Sequence, residues 1–202
     1  MQTTALTAWE LCCRRGDRWL FHGLDLSLDR GEALYLTGPN GAGKTSLMRM
    51  LAGLLRPSPT LLPEGAARLG TIHWQGSVAM LDEKTALDMA QPLGKALDFW
   101  RAIDGPRDVP LDRLGIEPLL DVPVRYLSTG QKKRAALARL IGQGAQNWLL
   151  DEPLNGLDVA GVALIEDLVA QHCATGGTAI VTSHQPIRLP GDRRLNLADH
   201  AL

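Results

Sequence analysis

Gly38-Pro39-Asn40-Gly41-Ala42-Gly43-Lys44-Thr45 is the stretch on which the fold turns. It fits G-x-x-x-x-G-K-[ST]. Ahead of it, Glu32–Thr37 is a short apolar run that reads as a strand. Behind it, Leu47, Met48, Met50, Leu51 and Leu54 recur at helix spacing, which predicts a helix over Thr45–Leu55. Strand, glycine-rich loop and helix in that order is the context the motif requires. The glycines let the backbone curl so that several N–H groups face one concavity, and the helix start adds its positive end. Both favour a polyphosphate. Lys44 is placed to reach the terminal phosphates, the Thr45 hydroxyl to ligate Mg²⁺, and Ser46 continues the same turn.

Reading outward, Leu6–Leu11 and Trp19–Leu28 alternate apolar and polar residues and predict strands. Arg56–Gly65 carries Pro57, Pro59 and Pro63 and reads as a loop. Thr71–Trp74 reads as a short strand. Thr85–Ala90 and Leu93–Ile103 are helix-like, and the region 84–140, with the helix predicted over Gln131–Ile141, forms a candidate helical subdomain. Asn147–Leu150 is an apolar strand, Val159–Cys173 a helix, and Thr178–Thr182 a β-branched strand. Strands alternating with helices predict an α/β chain with a largely parallel sheet, one domain over residues 1–202.

Composition sets the outer limits. With 21 Lys plus Arg against 22 Asp plus Glu, the net charge is -1, without the basic excess of a general nucleic-acid binder. No apolar run approaches the roughly 20 residues of a membrane span. Met1–Glu10 lacks a basic start and an apolar core, so no signal peptide is expected and the cytoplasm is the expected compartment. Three cysteines, Cys12, Cys13 and Cys173, lack metal-binding spacing; neighbours in a strand, Cys12 and Cys13 are expected to point to opposite faces. His22, His73, His172 and His200 are scattered and expected to be structural or exposed.

Trp148-Leu149-Leu150-Asp151-Glu152-Pro153 is an apolar strand ending in two acids. Strand ends in open α/β sheets face the ligand crevice. Asp151 is placed to hold Mg²⁺, which needs only one or two protein ligands beside phosphates. Glu152 points elsewhere and suits a base that polarises the attacking water. Ahead of these acids, Leu127-Ser128-Thr129-Gly130-Gln131 opens a basic, apolar helix and forms another phosphate-facing turn.

Phosphate loop, L-S-x-G-Q, acid-ended strand and then Thr182-Ser183-His184 after a further strand together resemble an ABC-transporter ATPase cassette. The resemblance implies a P-loop NTPase fold of the ABC type, a nucleotide-binding domain with a β core and a small helical subdomain. It implies ATP and Mg²⁺, and two copies paired head to tail. Each ATP then lies between the Gly38–Thr45 loop of one chain and Ser128, Gly130 and Gln131 of the other. Glu152 aligns the water, His184 contacts the γ phosphate, and Asp158, in Leu154-Asn155-Gly156-Leu157-Asp158, couples the two sites. The family's metal- and water-sensing glutamine is matched best by Gln75 and second by Gln91. The chain departs from the family in carrying Arg15 where an adenine-stacking aromatic is common, with Trp19 nearby in the strand, and Thr129 where Gly or Ala is common.

Leu36–Leu55, Pro123–Leu140, Trp148–Asp158 and Gly176–Pro186 together resemble one subfamily, the ATP-binding subunits of bacterial haem exporters in cytochrome c biogenesis. Pro123-Val124-Arg125 and His184-Gln185-Pro186 are its more specific pieces. The resemblance implies integral membrane partner subunits, a peripheral position on the cytoplasmic face of the inner membrane, and an indirect link to a periplasmic haem chaperone, with no nucleic-acid partner. Membrane helices are expected to dock on the helical subdomain near residues 84–120 and Gln75, where Phe99 and Trp100 stand side by side, one of them as a partner contact or both in core packing. Two alternatives stay open: the cassette of another small exporter, and a soluble non-transport cassette ATPase.

Overall fold

The computed structural model describes residues 3–61, 67–82 and 84–201. The loop expected over Arg56–Gly65 therefore lies partly outside the described residues. Two long strands open the chain, β1 (Thr4–Arg15) and β2 (Arg18–Asp29), and pair as an antiparallel hairpin. Next come β3 (Ala33–Thr37), α1 (Lys44–Leu51), and the short strands β4 (Thr60–Leu61), β5 (Ala67–Arg68), β6 (Thr71–Trp74) and β7 (Val78–Leu81). The second half carries α2 (Leu93–Asp104), α3 (Thr129–Gln143), β8 (Asn147–Leu150), α4 (Val159–Ala174), β9 (Thr178–Thr182) and β10 (Arg193–Asn196).

A parallel sheet in the order β10-β3-β9-β8-β7 forms the centre, and an antiparallel sheet β2-β1-β6 lies beside it. Alternation along the central strands sorts side chains into two cores. Leu34, Leu36, Leu149 and Ile180 face one side, where they meet α1 and the antiparallel sheet through Phe21, Leu47 and Met48. Ala33, Trp148, Leu150, Ala179 and Val181 face the other side and meet α3 and α4 through Leu137, Leu140, Ile165 and Val169. A sheet buried on both faces explains why β8 and β9 contain no exposed residue.

Four local expectations need correction. The helix after the phosphate loop ends at Leu51, because Gly53 takes φ 74° and turns the chain. Thr85–Ala90 forms turns instead of a helix; Asp88 carboxylate accepts the Ala90 N–H and competes with helical bonding. Val78–Leu81 and Arg193–Asn196 are strands of the central sheet that four-residue patterns did not reveal. Cys12 and Cys13 are both buried: β1 has register shifts on each side of them, so simple alternation fails there. Burial pushes the Cys13 thiol up and takes Cys173 to about 11, which makes these thiols inert packing groups.

Candidate nucleotide site

The phosphate loop joins the C-terminal end of β3 to α1. Gly38, Gly41 and Gly43 all take positive φ, and Gly43, at φ 104°, also passes so close to β2 that an added Cβ would sit 3.1 Å from Leu20 Cβ. The loop closes on itself through the Ala42 N–H and Pro39 carbonyl (3.2 Å). Lys44 is buried, and its ammonium donates to the carbonyls of Gly38 (2.7 Å) and Pro39 (3.3 Å). The cation is therefore folded over the loop that its own chain forms. Thr45 and Ser46 stand on the first turn of α1.

Asp151 follows β8 at the same end of the sheet and is buried. Its Oδ1 accepts the Thr182 hydroxyl proton at 2.7 Å, and that same hydroxyl accepts the Glu152 N–H at 2.9 Å. Glu152 takes φ 50°, a left-handed conformation uncommon for a residue with a Cβ. Its main chain is held at both ends, because the carbonyl accepts from Lys133 Nζ at 3.2 Å. Its carboxylate meets His184 twice: Oε2 accepts the His184 N–H at 3.2 Å and Oε1 lies 3.3 Å from Nε2. Oε1 is buried and that second contact lacks hydrogen-bond geometry, so one oxygen of a desolvated carboxylate still has acceptor capacity. The His184 turn is fastened from β3, where the Tyr35 hydroxyl donates toward the carbonyls of Ser183 (3.0 Å) and Gln185 (3.2 Å). Burial first, and the nearby Glu152 charge second, push the Tyr35 phenol up, so it stays a donor.

The signature residues form a second cluster with Asp158. Ser128 caps α3 in a capping box: its hydroxyl accepts the Gln131 N–H (3.2 Å) and its own N–H donates to Gln131 Oε1 (2.8 Å). Gln131's side chain is thus already used by its own chain. Gly130 sits against the Gly156 carbonyl, and an added Cβ on Gly156 would lie 2.9 Å from Thr129 Cγ2. Asp158 caps α4 by accepting the Gly161 N–H at 2.8 Å. Ser128 and Thr129 remain exposed.

Gln75 is a correction. It follows β6 and precedes β7, so it lies at the entrance of the central sheet, where its carbonyl accepts from Asn147 Nδ2 (3.1 Å) at the start of β8. Asp151 is four residues further along, on the order of 13 Å at strand rise. Gln75 therefore cannot sense a metal held by Asp151. Gln91 stands in the turn before α2, with its carbonyl on the Val124 N–H. The residue that leaves β7 beside Asp151 is Asp82, since the Asp151 N–H donates to the Leu81 carbonyl (2.8 Å). Asp82 lies 3.9 Å from Arg49 of α1.

Trp19 is half-buried, with Arg14 over its ring and His22 at its edge. It borders a cavity of about 340 Å³ that Leu20, Pro39, Asn40 and Ala198 also line. Trp100 packs under Arg139 (3.9 Å to the ring centre), whereas its neighbour Phe99 is 61% exposed. Tyr35 and Lys133 are not singled out by the sequence, and Thr182 only as the strand end before His184; no local signal marks contacts across so many residues.

Oxygen donors, one carboxylate and one hydroxyl beside a phosphate loop, suit Mg²⁺, a hard cation that completes its shell with phosphates and water. Among the described residues no three His, Cys, Asp or Glu gather as a metal cage, so a cation here depends on the nucleotide for most of its ligands.

Residues 21–155 match the ABC transporter family. Over 195 residues the chain is 50% identical to a cytochrome c biogenesis ATP-binding export protein, CcmA, of Novosphingobium aromaticivorans, covering 96% of each. The chain belongs to this family. A second member, from Sphingopyxis alaskensis, is 44% identical over 93% of this chain and 94% of its own. Among solved structures, an inward-facing metal-chelate-type ABC transporter superposes with a TM-score of 0.77 over 96% of this chain and 80% of that one, at 24% identity. That likeness concerns the fold: the ABC cassette, with its P-loop and parallel sheet. Family membership makes the chain an ABC-type ATP-binding cassette.

Proposed function

We propose that the chain is the ATP-hydrolysing subunit of an ABC transporter complex that serves haem export and cytochrome c biogenesis. Near full-length kinship with the ATP-binding export proteins of that process supports the complex. The observation that carries the hydrolytic role is Glu152: a partly buried carboxylate, held in a left-handed turn beside Asp151, whose Oε1 has no hydrogen-bond partner. The loop Gly38–Thr45, with its Lys44, and Ser46 bind the triphosphate; Thr45 and Asp151 would hold Mg²⁺, which would supply neutralisation of phosphate charge. Glu152 accepts the attacking water's proton, and His184, whose N–H binds Oε2 and whose ring lies beside Oε1, orients the carboxylate and faces the γ phosphate.

The exposed Ser128–Gly130 turn completes the site of a second copy. This accounts for a signature that packs on its own Gly156 and not on its own phosphate loop. Gln131 serves there as the cap that shapes the Ser128 turn, and Asp158 anchors the neighbouring one. The nucleotide base extends toward the cavity beside Trp19. Integral membrane subunits dock on the face around α2, where Phe99 and Ile103 are exposed; among the described residues no helix is long and apolar enough to cross a membrane itself. The complex thus sits at the cytoplasmic face of the inner membrane, and its cycle acts on the haem chaperone only indirectly.

Purification of the tagged chain from detergent-solubilised membranes tests this reading. Integral membrane proteins and Mg²⁺-dependent ATP turnover in one complex are the expected result. A turnover-competent chain that brings down no membrane protein would favour a soluble cassette ATPase instead.

A further inference from the structure

Lys133 stands on α3, about one turn from the helix start, and its side chain is buried. Its ammonium donates to the main-chain carbonyl of Glu152 at 3.2 Å. That carbonyl is an unusual target. It belongs to a residue at φ 50°, it is followed by Pro153, and its other donor, the Asn155 N–H, is distant at 3.4 Å. Thr182 fixes the N–H side of the same residue. The peptide planes on both sides of Glu152 are therefore held by side chains from elsewhere, and they determine where its carboxylate points.

We infer that Lys133 is a positioning residue that ties the signature helix to the orientation of Glu152, and that it transmits engagement of the signature turn to this chain's own hydrolytic centre. The inference rests on the proposed roles of Ser128–Gly130 and Glu152. Ser128 caps the helix that carries Lys133, and five residues of α-helix move as a rigid unit. When Ser128 and Gly130 close on a second copy's nucleotide, the helix start shifts, and Lys133 carries the shift to the Glu152 carbonyl. Small rotations of the peptides that flank Glu152 swing its side chain, and misplacement by about 1 Å can cost on the order of 100-fold in rate. The chain would thus become hydrolytic when its signature turn is engaged, which couples the two nucleotide sites of a pair.

Lys133→Met and Lys133→Arg, made in the complex with its membrane subunits, test this. Lys133→Met should lower kcat by about 10–100-fold, with the KM for ATP, ATP-dependent pairing and Tm close to those of the parent. Lys133→Arg, which can still donate, should recover most of kcat. A Met variant with kcat within about twofold of the parent overturns the inference, as does a loss of pairing or of Tm in step with kcat, which marks a merely structural lysine. Glu152→Gln is the control: if it alone retains turnover, the reading of Glu152 fails, whereas an inactive Glu152→Gln beside an active Lys133→Met refutes the Lys133 link only.

Discussion

Thr182 and Asp151 share a hydrogen bond of 2.7 Å in which the hydroxyl donates, and this orientation leaves the Thr182 oxygen to accept the Glu152 N–H. One fully buried hydroxyl thus orders two neighbouring acids with different tasks. Thr182→Val keeps the shape and removes both bonds. Leaving a buried N–H and a carboxylate without this partner is expected to cost about 1–3 kcal/mol of stability, with turnover falling at least tenfold by the same disorder of Glu152. Thr182→Ser should restore both. Thermal unfolding and ATP turnover of the two variants check this.

Tyr35→Phe removes the hydroxyl that faces the carbonyls on either side of His184. The ring remains packed, so the expected loss of stability is small, about 0.5–1.5 kcal/mol. The effect on turnover should be larger in proportion, because the His184 turn loses its tether. A steady-state comparison in which kcat falls while the KM for ATP stays level would bear out this role; an unchanged kcat would refute it.

Lys44→Ala removes the ammonium that caps the Gly38 and Pro39 carbonyls and is placed for the terminal phosphates. Nucleotide affinity, measured by titration calorimetry with Mg²⁺ATP, should fall by more than tenfold, since a charge-assisted bond of about 1.5–3 kcal/mol is lost. Unaltered affinity would remove the phosphate loop from the account.

The acid limb of stability should report His172. Burial holds this imidazole below its ordinary range, against weaker opposing bonds to the Gln146 and Thr178 backbone, while its ring stacks on Trp148 at 3.8 Å. With the folded value below the unfolded value of about 6.5, the unfolded chain binds the extra proton first. Stability is therefore complete above about pH 6.5 and declines as pH falls through the window below it. In His172→Phe that part of the decline should be absent from Tm measured between about pH 5 and 7.

The strand, loop and helix around Lys44, and the alternation of strands with helices, were readable because each signal is contiguous: glycines where the backbone must curl, apolar residues at one spacing. Gln75 shows the limit. A glutamine after a strand looks the same whether the strand delivers it to the ligand end of the parallel sheet or to its entrance, and only the order β9-β8-β7 reveals that β7, and hence Asp82, arrives beside Asp151. Cys12 and Cys13 defeated alternation because register shifts interrupt β1. Thr182, Tyr35 and Lys133 act on residues that lie 19 to 150 positions away in sequence, and distance of that kind leaves no local trace.

Glu152→Gln in the membrane-derived complex is the most direct test of the hydrolytic site. The amide keeps the size of the side chain but cannot take a proton from water. Mg²⁺-dependent ATP turnover should drop by about 10²–10⁴-fold, with ATP still bound and two copies held together by it. Turnover near that of the parent complex would contradict the assignment of Glu152 and with it the mechanism built around the Asp151–Thr182–Glu152 arrangement.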